Sequence, residues 1–339
     1  MWRAFEQRDA SYDGVFYTGV LTTGIFCLPS CPARKPRREN TRFFATAREA
    51  MTAGFRACLR CRPLDRAGEA PAWIAGLLEA VEQNPRIRER DLREQGLDPA
   101  RVRRWFVRNY GMSFQAFQRA KRLGGALRQI RNGAQQTVVA YDSGYESLSG
   151  FRDAWRQTFG TTPGRGTTTA MSVMQQFDTP LGAMITVCSD QGVLLLEFLE
   201  RRALETELKD LSRRLDTTIV PGENEKSRQV MRELGEYFAG QRRTFDVPLH
   251  AVGTPFQVEA WQALQRIPYG ETRSYLEQAV AIGKPTATRA VARANGDNRI
   301  AIIIPCHRVI GANGKLTGYG GGLWRKQYLL DLETQHRLL

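Results

Sequence analysis

The stretch Ile300-Ala301-Ile302-Ile303-Ile304-Pro305-Cys306-His307-Arg308-Val309-Ile310 sets a thiol directly against an imidazole at the end of an apolar run. The run predicts a buried strand that delivers Cys306 to the edge of a pocket. A thiol is a weak nucleophile until it ionises, and a neighbouring imidazole is a common means of ionising it. An isolated Cys-His pair is more often core filler than chemistry. The residues around this one decide the matter.

Upstream stand Thr254-Pro255-Phe256-Gln257, Ile267-Pro268-Tyr269-Gly270-Glu271-Thr272, Tyr275, Thr288-Arg289-Ala290-Val291 and Asn295-Gly296-Asp297-Asn298. Downstream stand Gly318-Tyr319-Gly320-Gly321-Gly322-Leu323 and a helical pattern from Trp324 to Glu333. In this order the segment resembles the O6-alkylguanine-DNA alkyltransferases. The resemblance implies that Cys306 attacks an alkyl carbon, that His307 takes the thiol proton through a water, and that Glu333 orients the histidine. It further implies that Tyr275 protonates the departing guanine and that Asn298 supports the loop before the nucleophile. Val309 and Gly320 would offer backbone groups to the base, and Tyr319 would wall the pocket. Gly320 stands where some members carry a small hydroxyl residue, which removes a side-chain hydrogen bond. Residues 274–294 read as a helix-turn-helix, whose second helix carries Arg289 into the base stack in place of the flipped nucleotide.

Composition bounds the rest. The chain has 339 residues and a net charge of +14, with a pI near 9.9. Such a length calls for several domains. Residues 1–70 carry a balance of +5, residues 71–165 of +7 and residues 166–339 of only +2. Positive charge concentrated in the first half points to a polyanion, most simply double-stranded DNA. No apolar run has the length of a signal-peptide core or a membrane span. The expectation is a cytoplasmic protein, where cysteines serve as metal or catalytic thiols rather than disulfides.

Four cysteines fall early in two pairs, Cys27-x3-Cys31 and Cys58-x2-Cys61. Four thiolates suit one tetrahedral zinc ion. The flanking residues Thr22-Thr23-Gly24-Ile25-Phe26-Cys27-Leu28-Pro29-Ser30-Cys31-Pro32-Ala33-Arg34 and Ala53-Gly54-Phe55-Arg56-Ala57-Cys58-Leu59-Arg60-Cys61 resemble the N-terminal domain of Ada-type proteins. That resemblance implies that Cys27 is both zinc ligand and acceptor of a methyl group from a DNA phosphotriester, with Arg34 beside the DNA. Cys188 reads as a buried, inert thiol.

Between these parts the chain reads as helices. Asp98 and Pro99 open a helix that places Val102, Phe106 and Tyr110 on one face and Arg101, Arg104 and Arg108 on another. Ser113 caps a longer helix to about Arg131. Thr137 to Asp142, the turn Ser143-Gly144-Tyr145 and Ser147 to Phe159 form a second unit, with Phe151, Trp155 and Phe159 inward and Ser149, Arg152 and Arg156 outward. This arrangement resembles the AraC-type DNA-binding domain, whose second helices enter the major groove. Gly124-Gly125 inside the linking helix costs about 1 kcal/mol per glycine relative to alanine and predicts a loosened placement of the two units. The small-residue stretch 161–169 reads as a hinge. Residues 182–187 and 192–199 predict a hairpin, and 201–215 and 227–239 predict helices.

The expected architecture is multidomain α+β. A zinc-bound module spans 1–70, an all-α double helix-turn-helix 71–165, a β-rich small subdomain 166–250 and a helical active-site subdomain 251–339. The expected function is single-turnover alkylation repair by both cysteines, with transcriptional activation once Cys27 is methylated. The partners would be damaged and promoter DNA and, for an activator, RNA polymerase. The chain would act as a monomer with no organic cofactor and no membrane association. The alternative is a repair protein whose helix-turn-helix units hold DNA without regulating genes.

Overall fold

In the computed structural model, described over residues 1–339 apart from 62, 64–71, 85, 165–169 and 337–339, the elements follow the multidomain α+β expectation. The boundaries expected at 70/71 and 165/166, and most of the expected hinge, lie outside the described residues.

The N-terminal part begins with helix α1 (Trp2–Glu6). Strands β1 (Tyr17–Val20), β2 (Ile25–Cys27), β3 (Thr41–Phe44) and, after helix α2 (Ala47–Thr52), β4 (Arg56–Ala57) form a sheet of order β3-β1-β2-β4. β4 runs parallel to β2, with Phe26 opposite Ala57. That pairing is what brings Cys58 beside Cys27, because each directly follows or ends a paired strand.

The middle part is helical: α3 (Ala72–Gln83), α4 (Glu89–Glu94), α5 (Pro99–Tyr110), α6 (Phe114–Arg131), α7 (Gln136–Asp142) and α8 (Leu148–Phe159). Side chains close the N-termini as the sequence predicts. Asp98 accepts from the Ala100 and Arg101 amides, Ser113 from Ala116 and Ser147 from Gly150. Val102, Phe106 and Tyr110 are buried on α5, and Phe151, Trp155 and Phe159 on α8.

The small subdomain holds β5 (Met171–Thr179), β6 (Gly182–Cys188), β7 (Val193–Phe198), α9 (Leu204–Arg214), β8 (Thr218–Pro221) and α10 (Glu225–Phe238). Its sheet order is β7-β6-β5-β8, with β8 parallel to β5. The hairpin is β6–β7, and Cys188 is buried in it with its thiol pushed up to about 11 by burial. The last part contains α11 (Pro255–Gln265), β9 (Arg273–Ser274), α12 (Tyr275–Ala281), α13 (Thr288–Gly296), β10 (Val309–Ile310) and α14 (Leu323–Gln335). A reciprocal amide pair, Gln278 with Asn295 at 3.0 and 2.7 Å, locks α12 to α13.

Two expectations are corrected. Residues 300–304 form turns rather than a strand. Only Ile300 bridges the sheet, opposite Leu196, and Ile302 takes a left-handed φ of 70°. The reason is Asn298: its amide donates to the Ile304 carbonyl at 2.9 Å and its Oδ1 accepts from the Ile300 amide at 3.0 Å. These bonds curl the apolar run on itself.

The double glycine does not loosen α6, which continues unbroken through it. Gly124 is a contact site, since a Cβ there would lie 2.8 Å from Val220 Cγ2 on β8. The helix thus seats closely on the small subdomain, supported by the Tyr110 hydroxyl donating to Gln176 at 2.6 Å. Gly125 faces open space. Gly125→Ala should therefore raise stability by about 1 kcal/mol, the helix-propensity gain alone. Gly124→Ala should lower it, since overpacking costs about 1–3 kcal/mol. Urea denaturation of the two variants checks the opposite signs.

Candidate functional site

Two thiol centres emerge from these elements. In the first, β2 ends on Cys27, a tight turn with the Cys31 amide donating to Leu28 at 3.1 Å returns Cys31, and the chain leaving β4 supplies Cys58 and Cys61. The four sulfurs lie within 4.8 Å of one another. Zn–S bonds of about 2.3 Å would separate neighbouring sulfurs by ~3.8 Å, so the quartet fits zinc closely; Cys31 and Cys58 are already 4.0 Å apart. Hydrogen bonds from Cys31 and Cys61 push the Cys27 thiol up, while the same contacts hold Cys31 down. Sulfurs so close ionise together only with a cation among them. The Leu28 amide adds a donor to Cys61 at 3.3 Å. Cys27, Cys31 and Cys58 are buried and Cys61 is the most exposed. Arg34 is exposed nearby, and Arg8 donates to the Ala33 carbonyl at 3.3 Å.

In the second centre, Cys306–Arg308 form one 3-10 turn between the curled segment and β10. The Asn298 amide donates to Cys306 Sγ at 3.3 Å. Burial pushes the thiol up, and the Asn298 bond and the Lys326 ammonium oppose that rise. His307 is fully buried, with Nε2 2.8 Å from Glu333 Oε1. Its Nδ1 is buried and takes no partner among the described residues. Burial lowers the imidazole pKa and outweighs Glu333, so the ring is neutral.

Glu333, on α14, accepts from Tyr237 at 2.7 Å, from the Gly270 amide at 3.0 Å and from Arg308 at 2.9 Å through both carboxylate oxygens. Burial opposes its ionisation, but the bonds from His307 and Arg308 outweigh burial and hold the carboxyl well below its usual range. A neutral imidazole beside a carboxylate makes Nε2 the donor and leaves Nδ1 with a lone pair.

Tyr275 donates to the Thr317 carbonyl at 3.2 Å, and burial raises its hydroxyl pKa. Tyr319 and Val309 are buried in the core cluster against which Cys306 and Tyr275 pack. Lys326 bonds the Val309 and Thr317 carbonyls at 2.5 and 2.9 Å, and burial lowers it to about 8. Cys306, His307, Glu333, Asn298, Tyr275, Val309 and Tyr319 are therefore brought together, with Gly320 adjoining Tyr319. Arg289 stands apart, exposed near the start of α13.

On the middle domain, Arg104, Arg108, Ser149, Arg152 and Arg156 are exposed on α5 and α8. Arg101 differs, its guanidinium lying 4.9 Å from the Trp73 ring centre. Sequence reasoning missed Tyr237, Lys326 and Arg308. Arg308 stood inside the quoted motif and its type was the signal, because an arginine in an apolar run needs a buried acid. Nothing local marks Tyr237, 96 residues from its partner.

Four family models match the chain. They are the metal binding domain of Ada over residues 1–64 and a helix-turn-helix domain over 92–166. The other two are the ribonuclease-like and DNA binding domains of 6-O-methylguanine DNA methyltransferase, over 173–251 and 255–335. The bifunctional transcriptional activator/DNA repair enzyme Ada of Escherichia coli K12 is 35% identical over 99% of this chain and 96% of its own length. The regulatory protein ada of Salmonella typhimurium LT2 is 34% identical over 98% and 96%. A methylated-DNA–protein-cysteine methyltransferase of Methanosarcina acetivorans is 46% identical over 46% of this chain and 95% of its own.

Glu333→Gln should leave the Arg308 charge uncompensated and cost about 3–5 kcal/mol, as breaking a buried ion pair does. A carboxyl with a depressed folded pKa contributes fully above its unfolded value and loses that contribution as pH falls through the folded one. The wild-type advantage over the variant should therefore be full at neutral pH and shrink only below the ordinary glutamate value of 4.5. Denaturant melts at neutral and acidic pH measure it.

Proposed function

This chain belongs to the Ada family, and from that membership we propose that it repairs alkylated DNA with two single-use cysteines and switches on transcription through one of them. The observation that carries the reading is the half-buried, Asn298-bonded Cys306 thiol next to the buried His307–Glu333 pair, joined in one chain to a four-cysteine cluster and helix-turn-helix units.

At the C-terminal centre, His307 Nδ1 takes the Cys306 proton through a water while Glu333 holds Nε2. The sulfur forms a bond to the alkyl carbon as the bond from that carbon to guanine O6 breaks. The electron pair departs with the base, which Tyr275 protonates. Arg289 fills the space the base has left, and Val309, Tyr319 and Gly320 line the pocket. The product is a thioether, so each cysteine reacts once and no organic cofactor is needed.

At the N-terminal centre, Cys27, Cys31, Cys58 and Cys61 would hold one zinc ion, whose charge would keep the sulfurs ionised at neutral pH. Cys27 takes a methyl from a phosphotriester: an S–C bond forms, a C–O bond breaks, and the phosphate leaves as the diester anion. The loss of one negative charge from the cluster weakens repulsion from DNA phosphates, which dominate such binding. Arg34, Arg101, Arg104, Arg108, Ser149, Arg152 and Arg156 contact the DNA. The unit divisions are those of residues 1–70, 71–165, 166–250 and 251–339. The protein acts as a cytoplasmic monomer, with RNA polymerase its partner at promoters. Among the described residues no helix is long and apolar enough to cross a membrane.

Transfer of labelled methyl groups tests the reading, with mass spectrometry locating the label. Cys306→Ala should abolish transfer from O6-methylguanine and spare transfer from phosphotriesters; Cys27→Ala should do the reverse. Label reaching Cys61 rather than Cys27 would overturn the acceptor assignment. Promoter affinity should rise on Cys27 methylation, with the gain shrinking as salt is raised. Equal affinities at low salt would contradict the switch.

A further inference from the structure

Position 320 is glycine, yet the space beside it is filled. A Cβ there would overlap Nη1 of Arg201 and come within 2.9 Å of its Cζ. Arg201 follows β7 in the small subdomain, more than a hundred residues earlier in the chain. Its guanidinium cannot simply swing away. Nη1 lies 3.2 Å from Glu197, Nη2 lies 3.0 Å from Glu207 and donates to the Gly296 carbonyl at 2.9 Å, and Nε donates to Glu207 at 3.1 Å. Both carboxylates are themselves buried, with side chains 2% and 9% exposed. Moving the cation would strand them, which is strongly destabilising.

The same strand end backs the next residue, since a Cβ on Gly321 would lie 2.5 Å from the Phe198 ring. The bond to Gly296 reaches the C-terminal end of α13, the helix that carries Arg289.

We infer that Arg201 is a positioning residue of the alkyl-transfer site, its clamped guanidinium standing in the place of a side chain at position 320 and fixing the Tyr319–Gly322 loop to the end of α13. The inference rests on the reading of Cys306 as acceptor. It gives the glycine a reason: the space of a side chain at this position is taken by a donor-bearing cation brought from another subdomain. Arg201 also acts on the thiol at a distance. The charged and titratable groups around Cys306 are Lys326 from α14, Glu197 and Arg201 from the β7 end, Tyr275 from α12, Tyr319 from the loop and the adjacent His307. Lys326 and Arg201 favour the thiolate and Glu197 opposes it. Without Arg201, the Glu197 carboxyl, which burial already raises to about 7, rises further, and the thiolate loses a favourable cation.

The test uses the full chain with two readouts: single-turnover methyl transfer from O6-methylguanine DNA, and the pH profile of Cys306 alkylation by iodoacetamide. Gly320→Ala should slow transfer about tenfold or more, and adding Arg201→Ser should recover most of that loss, since contacting residues couple. Arg201→Met should move the alkylation midpoint to higher pH, and Arg201→Lys should leave it near the wild-type value. A purely structural role would lower rates at an unmoved midpoint. Additive effects at positions 201 and 320, or an unmoved midpoint in Arg201→Met, would overturn the inference. The alkylation profile needs no DNA. A wild-type protein that fails to transfer methyl groups yet shows the Arg201 shift would therefore sink the functional reading alone.

Discussion

The Glu333 carboxylate is the interaction on which the catalytic half depends. One buried anion accepts from α10 through Tyr237, from the loop before β9 through the Gly270 amide, and from the 3-10 turn through His307 and Arg308. Such burial is expensive and is offset only when every lone pair is used. Because four separate segments meet at one group, displacing any one of them leaves a charge or a lone pair without its partner. Burial keeps the histidine neutral against the pull of Glu333, and the carboxylate fixes which nitrogen is protonated, so the pair is set by packing before any DNA arrives.

The two thiol centres meet opposite obstacles to ionisation. Cys306 is half-buried, and desolvation discourages its ionisation, so it needs a base. The N-terminal sulfurs are crowded together, so they need a cation. Exposed arginines on α5 and α8 lie in the first half, where the positive charge of the sequence is concentrated. The close approach of Gly124 to Val220 joins that half to the small subdomain, so the helix-turn-helix units are seated on the repair machinery.

Local chemistry made much of this legible. Asp98, Ser113 and Ser147 each marked a helix start because a cap acts within three residues. The cysteine pairs marked their cluster because chelation from a single turn fixes the spacing. The apolar run 300–304 misled because five consecutive apolar residues read as a buried strand, while the bonds by which Asn298 bends them back leave no mark in that pattern. Gly124 misled in the other direction: propensity counts the cost to the helix and cannot see the strand that fills the missing side chain. Tyr237 and Arg201 were invisible for a common reason, since each meets the site only after the small subdomain has packed against the last helices.

The central claim is that His307 is a neutral imidazole with its proton on Nε2, leaving Nδ1 to accept a proton on the path from Cys306. Nitrogen NMR of the ring in the full-length protein, followed from pH 7 downward, reads both the protonation state and the tautomer. The account predicts a neutral ring protonated on Nε2 at pH 7 that stays neutral below the ordinary histidine value of 6.5. A doubly protonated ring at pH 7, or a neutral ring carrying its proton on Nδ1, would contradict it.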